Sequence, residues 1–402
     1  MKVLIISAAF PPVKAGDSYH VLRLANYLAH RGLVIHILTT VGNGIEGNFP
    51  FQVYPDMRTW SWRDLPRLTK SVRHCSPDAV LLIFSTWAYR GRPMIALAPL
   101  LCRILVPRAV FVTQFENEYS EFSPSLCLRI LLRLISVVTG RRNIDYALAT
   151  LLRASHRIIV LSGRHLLKLS EHASSVQEKS ILIPPPPILS IYPEQNGAAR
   201  EHARQLLGVK ANEFIIVHFG YLYPSKGIDV LLKAFEILCR RKTNVRLLTV
   251  GGEPAASAKR LYVQQLNEWV KQTGLEDKII QTGAFSWDSN VASLYLRAGD
   301  TCVLPFVSGV SLNRSSVAAA AAHGLPIITT EGRPLESAFV DHKNVLLCQP
   351  NDEKALAEAI ESLIADPELR QRLSAGATEL ADRWFSWDKA LEGTIEALRL
   401  PS

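Results

Sequence analysis

The chain has 402 residues, enough for two domains that each bury a core of their own. Charge is uneven: residues 1–200 hold 23 Lys and Arg against 12 Asp and Glu, whereas residues 201–402 hold 22 against 24. The six cysteines are widely spaced with no C-x-x-C pair, which argues against a disulfide framework or a zinc finger and favours a reducing cytoplasm. The apolar run at residues 94–106 contains Arg103 and is too short to span a bilayer, so we expect no transmembrane helix.

The first half alternates short apolar runs with amphipathic stretches. Strands are predicted over residues 3–6, 33–38, 79–84, 109–113 and 157–161. A helix is predicted over residues 18–30, where Val21, Leu24 and Leu28 lie on one stripe. This alternation predicts a parallel sheet with helices on both faces.

The alternation stops at the four prolines of residues 184–187, a stiff run that cannot continue a helix. A second series then follows, with strands predicted at 214–219, 245–250, 279–282 and 301–304 and helices at 229–240, 258–273 and 289–298. We therefore predict an N-terminal domain over 1–188, a linker over 189–212, a second domain over 213–380 and a closing segment over 381–402.

The segment 301–330 contains no Asp or Glu, and Arg314 is its only Lys or Arg. Its centre, Ser311-Leu312-Asn313-Arg314-Ser315-Ser316, precedes an alanine-rich helix predicted at residues 317–322. Small polar residues at a helix N-terminus present free N–H groups that bind anions. The alternative is that Asn313 caps the helix and Arg314 is solvated.

Two glycine-containing loops follow strands and precede helices. The first contains Gly16 and Asp17, and the second runs from Gly220 through Tyr221 to Lys226 and Gly227. Both are typical of loops that approach a phosphate. Alternatively, Gly16 is an ordinary turn glycine followed by an N-cap at Asp17 or Ser18, and Lys226 caps a turn.

Together, these segments resemble family 4 of the GT-B glycosyltransferases. That family normally carries two glutamates eight positions apart in the acid-free segment, and those positions fall here on Ser311 and Ala319; Tyr221 replaces a family arginine. The resemblance implies two Rossmann-like, doubly wound parallel-sheet domains facing a central cleft, with the closing segment returning to the first domain. It implies a donor-binding set of Gly16, Gly220, Lys226, Ser311, Asn313, Arg314, Ser315 and Ser316.

Lys226 is then the expected catalytic electrophile for a departing diphosphate, and we hypothesise that Arg314 replaces the cation lost at Tyr221. On the first domain, Phe115 stands where the family often has a histidine, and His20 falls where many members also have one. Glu116 or Glu118 can orient or deprotonate an acceptor hydroxyl, although a solvated loop acid is an equal alternative for each. Glu336 matches a common family glutamate, to which the sequence assigns no role.

The implied activity is retaining transfer of a sugar from a nucleotide-diphosphate donor to a hydroxyl, in cell-surface polysaccharide or glycolipid assembly, without a metal or other cofactor. We expect a saccharide or lipid-linked acceptor and no nucleic acid. The basic first half, with an arginine-edged amphipathic stretch at 126–142, favours peripheral contact with the inner face of the membrane, although the stretch is equally typical of a core helix.

Two rival functions remain open. A non-catalytic GT-B binding or scaffold subunit is favoured by the loss of the two glutamates, and opposed by the retained Lys226-Gly227 pair. A sugar-nucleotide epimerase shares the fold, but its acid and base groups are not apparent. A nucleic-acid binder is the least favoured reading, because no recognised motif accompanies the positive charge.

Overall fold

The computed structural model describes residues 1–13, 15–43, 48–116, 145–173, 175–193, 197–252, 257–286 and 289–399. The chain divides into two compact units, one formed by Met1–Pro184 with Asp388–Ser402 and the other by Pro185–Trp387. Glu118 and the amphipathic stretch at 126–142 lie outside the described residues.

The first unit is built on a parallel sheet of seven strands. They are β1 (Lys2–Ser7), β2 (Val34–Thr40), β3 (Phe51–Met57), β4 (Ala79–Phe84), β5 (Val110–Phe115), β6 (Arg157–Val160) and β7 (Ser180–Leu182). Their order across the sheet is β3-β2-β1-β4-β5-β6-β7. The central strands β4 and β5 are buried at every residue, as expected for strands covered on both faces.

The described helices of this unit are α1 (Gly16–His30), α2 (Leu65–Cys75), α3 (Ala98–Leu105), α4 (Tyr146–Ala154), α5 (Gly163–Ser170), α6 (Val176–Lys179) and, from the chain's end, α14 (Trp387–Ala397). Helix α1 buries Val21, Leu24 and Leu28, the stripe predicted from the sequence. Its N-cap is Ala15, in extended conformation and without a side-chain cap, so neither Asp17 nor Ser18 caps it.

The second unit has a parallel sheet of six strands. They are β8 (Phe214–Phe219), β9 (Val245–Val250), β10 (Ile279–Gln281), β11 (Thr301–Leu304), β12 (Ile327–Thr330) and β13 (Leu346–Cys348). Their order is β10-β9-β8-β11-β12-β13. The two parallel, helix-covered sheets confirm the predicted Rossmann-like α/β fold class.

The described helices of the second unit are α7 (Gly197–Leu206), α8 (Ile228–Arg240), α9 (Ser257–Thr273), α10 (Val291–Arg297), α11 (Ser315–Ala322), α12 (Glu353–Ala365) and α13 (Pro367–Trp384). Helix α7 falls inside the stretch predicted as a linker, and its Ala199 and Ala203 are buried in the core of this unit. Helix α11 packs against α13, and its alanine run lets the two helices approach closely because it presents no larger side chains.

Candidate functional site

The site in the second unit lies where the strand order reverses. Strands β8 and β11 are neighbours although two strands separate them along the chain. The loops after their carboxyl ends span residues 220–227 and 305–314, and ligands of open parallel sheets bind at such a reversal. We call Gly220, Lys226, Phe306, Arg314 and Ser316 the lysine site.

Lys226 is the centre of this site. Its side chain is buried, with 7% of the residue exposed, and Nζ donates a hydrogen bond to Ser316 Oγ at 3.0 Å. Two aromatic rings contact the ammonium: Nζ lies 4.9 Å from the ring centre of Phe306 and 5.7 Å from that of Tyr223. Within the described residues no carboxylate pairs with Lys226.

Burial, reinforced by the positive charge of Arg314, lowers the pKa of Lys226 to about 7. A buried ammonium normally carries a paired anion, because removing a lone charge from water is costly. His218, buried on β8, does not supply it: burial and the charge of Lys226 keep that imidazole neutral by lowering its pKa to about 3. The arrangement is therefore suited to an anionic ligand.

Arg314 places a second cation on the same aromatic ring. Its Cζ lies 4.8 Å from the ring centre of Phe306, and Nη2 donates to Ser308 Oγ at 2.8 Å. Arg314 is also the N-cap of α11, without a side-chain cap bond, so the cap is not Asn313 as the alternative reading held. The fully buried Phe306 thus contacts both cations.

The loop geometry of the site requires two glycines. Gly227 has φ +67°, and a Cβ there would lie 2.0 Å from the carbonyl oxygen of Pro305. Gly220 has φ +126°, and its Cα faces Lys226, so that a Cβ would lie 3.6 Å from Nζ. Both positions let the backbone follow the path that brings Lys226 to Ser316.

The two positions where the family has glutamates differ in whether they carry a polar group. Ser311 is buried, and its Oγ has no hydrogen-bond partner in the part of the chain that the structure describes. Ala319 is fully buried on α11, among the apolar residues of the core. Ser311 therefore retains a polar group for a ligand, and Ala319 retains none.

Glu336 has a role that the sequence did not assign. Its Oε2 accepts the backbone N–H of Leu312 at 2.7 Å, which ties the segment after β12 to the loop that carries Ser311. In the sequence, only the match to the family glutamate pointed to Glu336. Its hydrogen bond to Leu312 was not apparent, because 24 residues separate Glu336 from Leu312. Glu336 is half-buried.

The structure brings only part of the predicted donor-binding set together through direct contacts. Gly220, Lys226, Ser316 and Arg314 form the lysine site with Phe306, which the sequence reading missed. Asn313 and Ser315 are half-buried on either side of Arg314 in the chain. Gly16 lies in the first unit, where it is the first residue of α1.

A second polar cluster lies in the first unit, at the carboxyl ends of β1 and β5. Gln114 Nε2 donates to Glu116 Oε1 at 2.6 Å and lies 3.1 Å from His20 Nε2. His20 Nε2 is 3.9 Å from Glu116 Oε1, and all three side chains are buried. Because an amide nitrogen only donates, His20 Nε2 is the acceptor, and the imidazole is neutral with its proton on Nδ1.

Burial raises the pKa of Glu116 to about 7 and lowers that of His20 to about 4. The pKa of Asp17, in the first turn of α1, is raised to about 6 by burial and by the charge of Glu116. A carboxyl group whose pKa is near neutrality can accept or release a proton at working pH. This cluster thus has the chemistry expected for handling a hydroxyl group.

The described residues hold no group of three or more His, Cys, Asp or Glu side chains arranged to bind a metal ion. Among their helices, none is both long and apolar enough to cross a bilayer.

Comparison with known proteins finds similarity to glycosyl transferases. Residues 199–380 match the family model described as Glycosyl transferases group 1. Anabaena Alr3699/HepE, solved in complex with UDP and glucose, superposes with a TM-score of 0.74 at 18% identity, over 99% of each chain. The fold is GT-B. At 18% identity, the superposition establishes the fold alone, and this GT-B fold is the one predicted from the sequence.

Curated relatives match this GT-B chain over about half its length. D-inositol 3-phosphate glycosyltransferase from Xylanimonas cellulosilytica is 31% identical over 204 residues, covering 50% of this chain and 46% of the relative. Mannosylfructose-phosphate synthase from Agrobacterium fabrum is 30% identical over 191 residues, covering 47% and 41%. The chain thus spans less than half the length of these relatives.

Proposed function

We propose that the protein is a retaining glycosyltransferase that moves a sugar from a nucleotide-diphosphate donor to a hydroxyl acceptor. The observation that carries this proposal is Lys226, a buried ammonium without a carboxylate partner among the described residues. A donor diphosphate would supply the missing negative charge, and Arg314 would add a second cation with bidentate geometry. The Alr3699/HepE complexes with UDP support a nucleotide ligand for the same fold.

In the proposed reaction, the bond between the anomeric carbon and the diphosphate oxygen breaks while the acceptor oxygen forms a bond to the same face of that carbon. Negative charge grows on the departing diphosphate, and Lys226 would stabilise it. The proton of the acceptor hydroxyl would pass to the departing diphosphate or to Glu116, which would also orient the hydroxyl. No metal or cofactor takes part in this proposal.

We further propose a cytoplasmic enzyme of cell-surface polysaccharide or glycolipid assembly, acting on a saccharide or lipid-linked acceptor. The excess of Lys and Arg in residues 1–200 supports peripheral contact with anionic membrane at the inner face. A second candidate, a non-catalytic binding subunit, is favoured by Ala319, which offers no acceptor for a ribose hydroxyl.

The test is to incubate the purified protein with UDP-, GDP- and ADP-linked sugars and to measure release of the nucleoside diphosphate. The proposal expects release from one donor class and its loss in Lys226→Ala, with Lys233→Ala, an exposed lysine of α8, as the matched control. Transfer to an added saccharide would show by NMR whether the anomeric configuration is retained. Nucleotide binding without any turnover would favour the non-catalytic subunit instead.

A further inference from the structure

The first sheet also has a reversal of strand order, and it carries an exposed tryptophan. Strand β1 lies between β2 and β4, so the chain runs toward one edge through β3 and then returns to β4. The loop after β4 contains Trp87, and the loop after β1 leads into α1 with Asp17 in its first turn. In open parallel sheets this is where ligands bind, outside the carboxyl ends of the strands.

Trp87 is 49% exposed although its neighbours Ser85 and Thr86 are buried. Its indole Nε1 donates to Asp17 Oδ2 at 3.0 Å. This bond satisfies the polar edge of the ring and fixes its orientation, while the apolar surface stays in contact with water. An oriented, half-exposed indole provides a flat surface on which an apolar face of a ligand can stack.

The polar groups around the ring are carboxyl groups. Asp17 accepts a hydrogen bond from Trp87, and the charge of Glu116 contributes to the raised pKa of Asp17. Glu116 in turn is held by Gln114 and lies near the neutral His20. Carboxylates repel a phosphate and accept hydrogen bonds from hydroxyl groups, so this end of the sheet suits a neutral polyol.

A pyranose ring has both an apolar face and hydroxyl groups. One face presents C–H groups that stack on an aromatic ring, and its edge carries hydroxyl groups that donate to carboxylates. We propose that Trp87 and Asp17 form a subsite for a neutral saccharide ring, with the C–H face on the indole and a hydroxyl on the Asp17 carboxylate. The subsite rests on the proposed function, because this ring would be the acceptor sugar or its terminal residue.

The experiment is saturation-transfer NMR on the full chain with millimolar methyl α-D-glucopyranoside, methyl α-D-mannopyranoside, methyl β-D-galactopyranoside and methyl N-acetyl-β-D-glucosaminide. The proteins compared are wild type, Trp87→Ala, Trp87→Phe and Asp17→Asn. Trp62→Ala is the matched control, since Trp62 is a similarly exposed tryptophan of the same unit, at 54%. Thermal unfolding of each variant checks that it folds, and Trp87→Phe keeps an aromatic ring if Trp87→Ala does not fold.

We expect at least one glycoside to receive saturation, strongest at the C–H protons of one ring face. Trp87→Ala should lose about tenfold in affinity, with Trp87→Phe intermediate and Trp62→Ala unchanged. Equal binding by wild type and Trp87→Ala, or no binding of any glycoside, overturns the proposal. A UDP titration of the same samples separates the two claims, because nucleotide binding without glycoside binding removes this subsite alone, and the reverse result removes the donor assignment alone.

Discussion

Lys226 Nζ and Ser316 Oγ lie 3.0 Å apart, joining the end of one loop to the first turn of a helix 90 residues later in the chain. A neutral hydroxyl is the hydrogen-bond partner of this ammonium, whereas a buried lysine is usually paired with a carboxylate. The charge of Lys226 is thus left to bind an anionic ligand, and the positive charge of Arg314 also favours an anion.

Arg314→Ala should weaken binding of the nucleoside diphosphate by about 10- to 100-fold, because a charged hydrogen-bond donor to the phosphates is lost. Isothermal titration with the nucleotide measures this. Arg333→Ala, an exposed arginine of the same unit, is the control and should bind as wild type. If Arg314→Ala binds normally while Lys226→Ala does not, Arg314 does not replace the cation missing at Tyr221.

Nucleotide binding should depend on pH through Lys226. Its pKa in the unliganded protein is lowered to about 7 by burial and by Arg314, with the buried thiol of Cys302 opposing the shift. A bound diphosphate favours the charged form, so binding above pH 7 takes up a proton, and affinity falls by up to about tenfold per pH unit.

The measurement is a UDP titration from pH 6 to 9 in buffers of different ionisation enthalpy, which reports the protons taken up. Lys226→Arg should flatten the pH dependence, since a guanidinium stays charged throughout. Proton uptake of zero at pH 8 in wild type would show that Lys226 is already charged before the nucleotide binds.

Glu336→Ala should lower the free energy of unfolding by about 1–2 kcal/mol, because the Leu312 N–H loses a charged acceptor. Nucleotide affinity should fall with it, since Leu312 belongs to the loop that carries Ser311 and Arg314. Chemical denaturation and nucleotide titration measure the two effects. Glu336→Gln keeps an acceptor oxygen and should restore most of both, while Glu358→Ala on an exposed face of α12 should change neither.

Relative to wild type, Glu116→Gln should have a higher free energy of unfolding at pH 8 than it has at pH 5. The pKa of Glu116 is raised to about 7 in the folded chain from an ordinary value of 4.5, so the folded state binds more protons between these values. The free energy of unfolding of wild type therefore falls as pH rises through that window, and a neutral glutamine removes this contribution. Thermal unfolding at both pH values tests the prediction; an equal effect of the substitution at pH 5 and pH 8 contradicts it.

The sequence predicted the two sheets well because buried parallel strands are continuous apolar runs, and residues 79–84, 214–219 and 301–304 match β4, β8 and β11 at both ends. It also selected Lys226 and Arg314, both of which lie over the ring of Phe306. It missed the contact of Phe306 with both cations and the hydrogen bond between Glu336 and the Leu312 N–H. Such contacts depend on strand order, which no local sequence pattern encodes. The alternative in which Asp17 or Ser18 caps α1 was wrong for a different reason: Asp17 accepts a hydrogen bond from Trp87, 70 positions away, and Ala15 is the N-cap.

The most direct test of the account is isothermal titration of wild type, Lys226→Ala and Lys233→Ala with UDP, GDP and ADP. We predict saturable binding of one nucleotide by wild type and Lys233→Ala, and a loss of about 100-fold or more in Lys226→Ala, which removes the central buried cation. Unchanged affinity in Lys226→Ala, or no binding of any of these nucleotides to wild type, would contradict the assignment of the lysine site to a donor diphosphate.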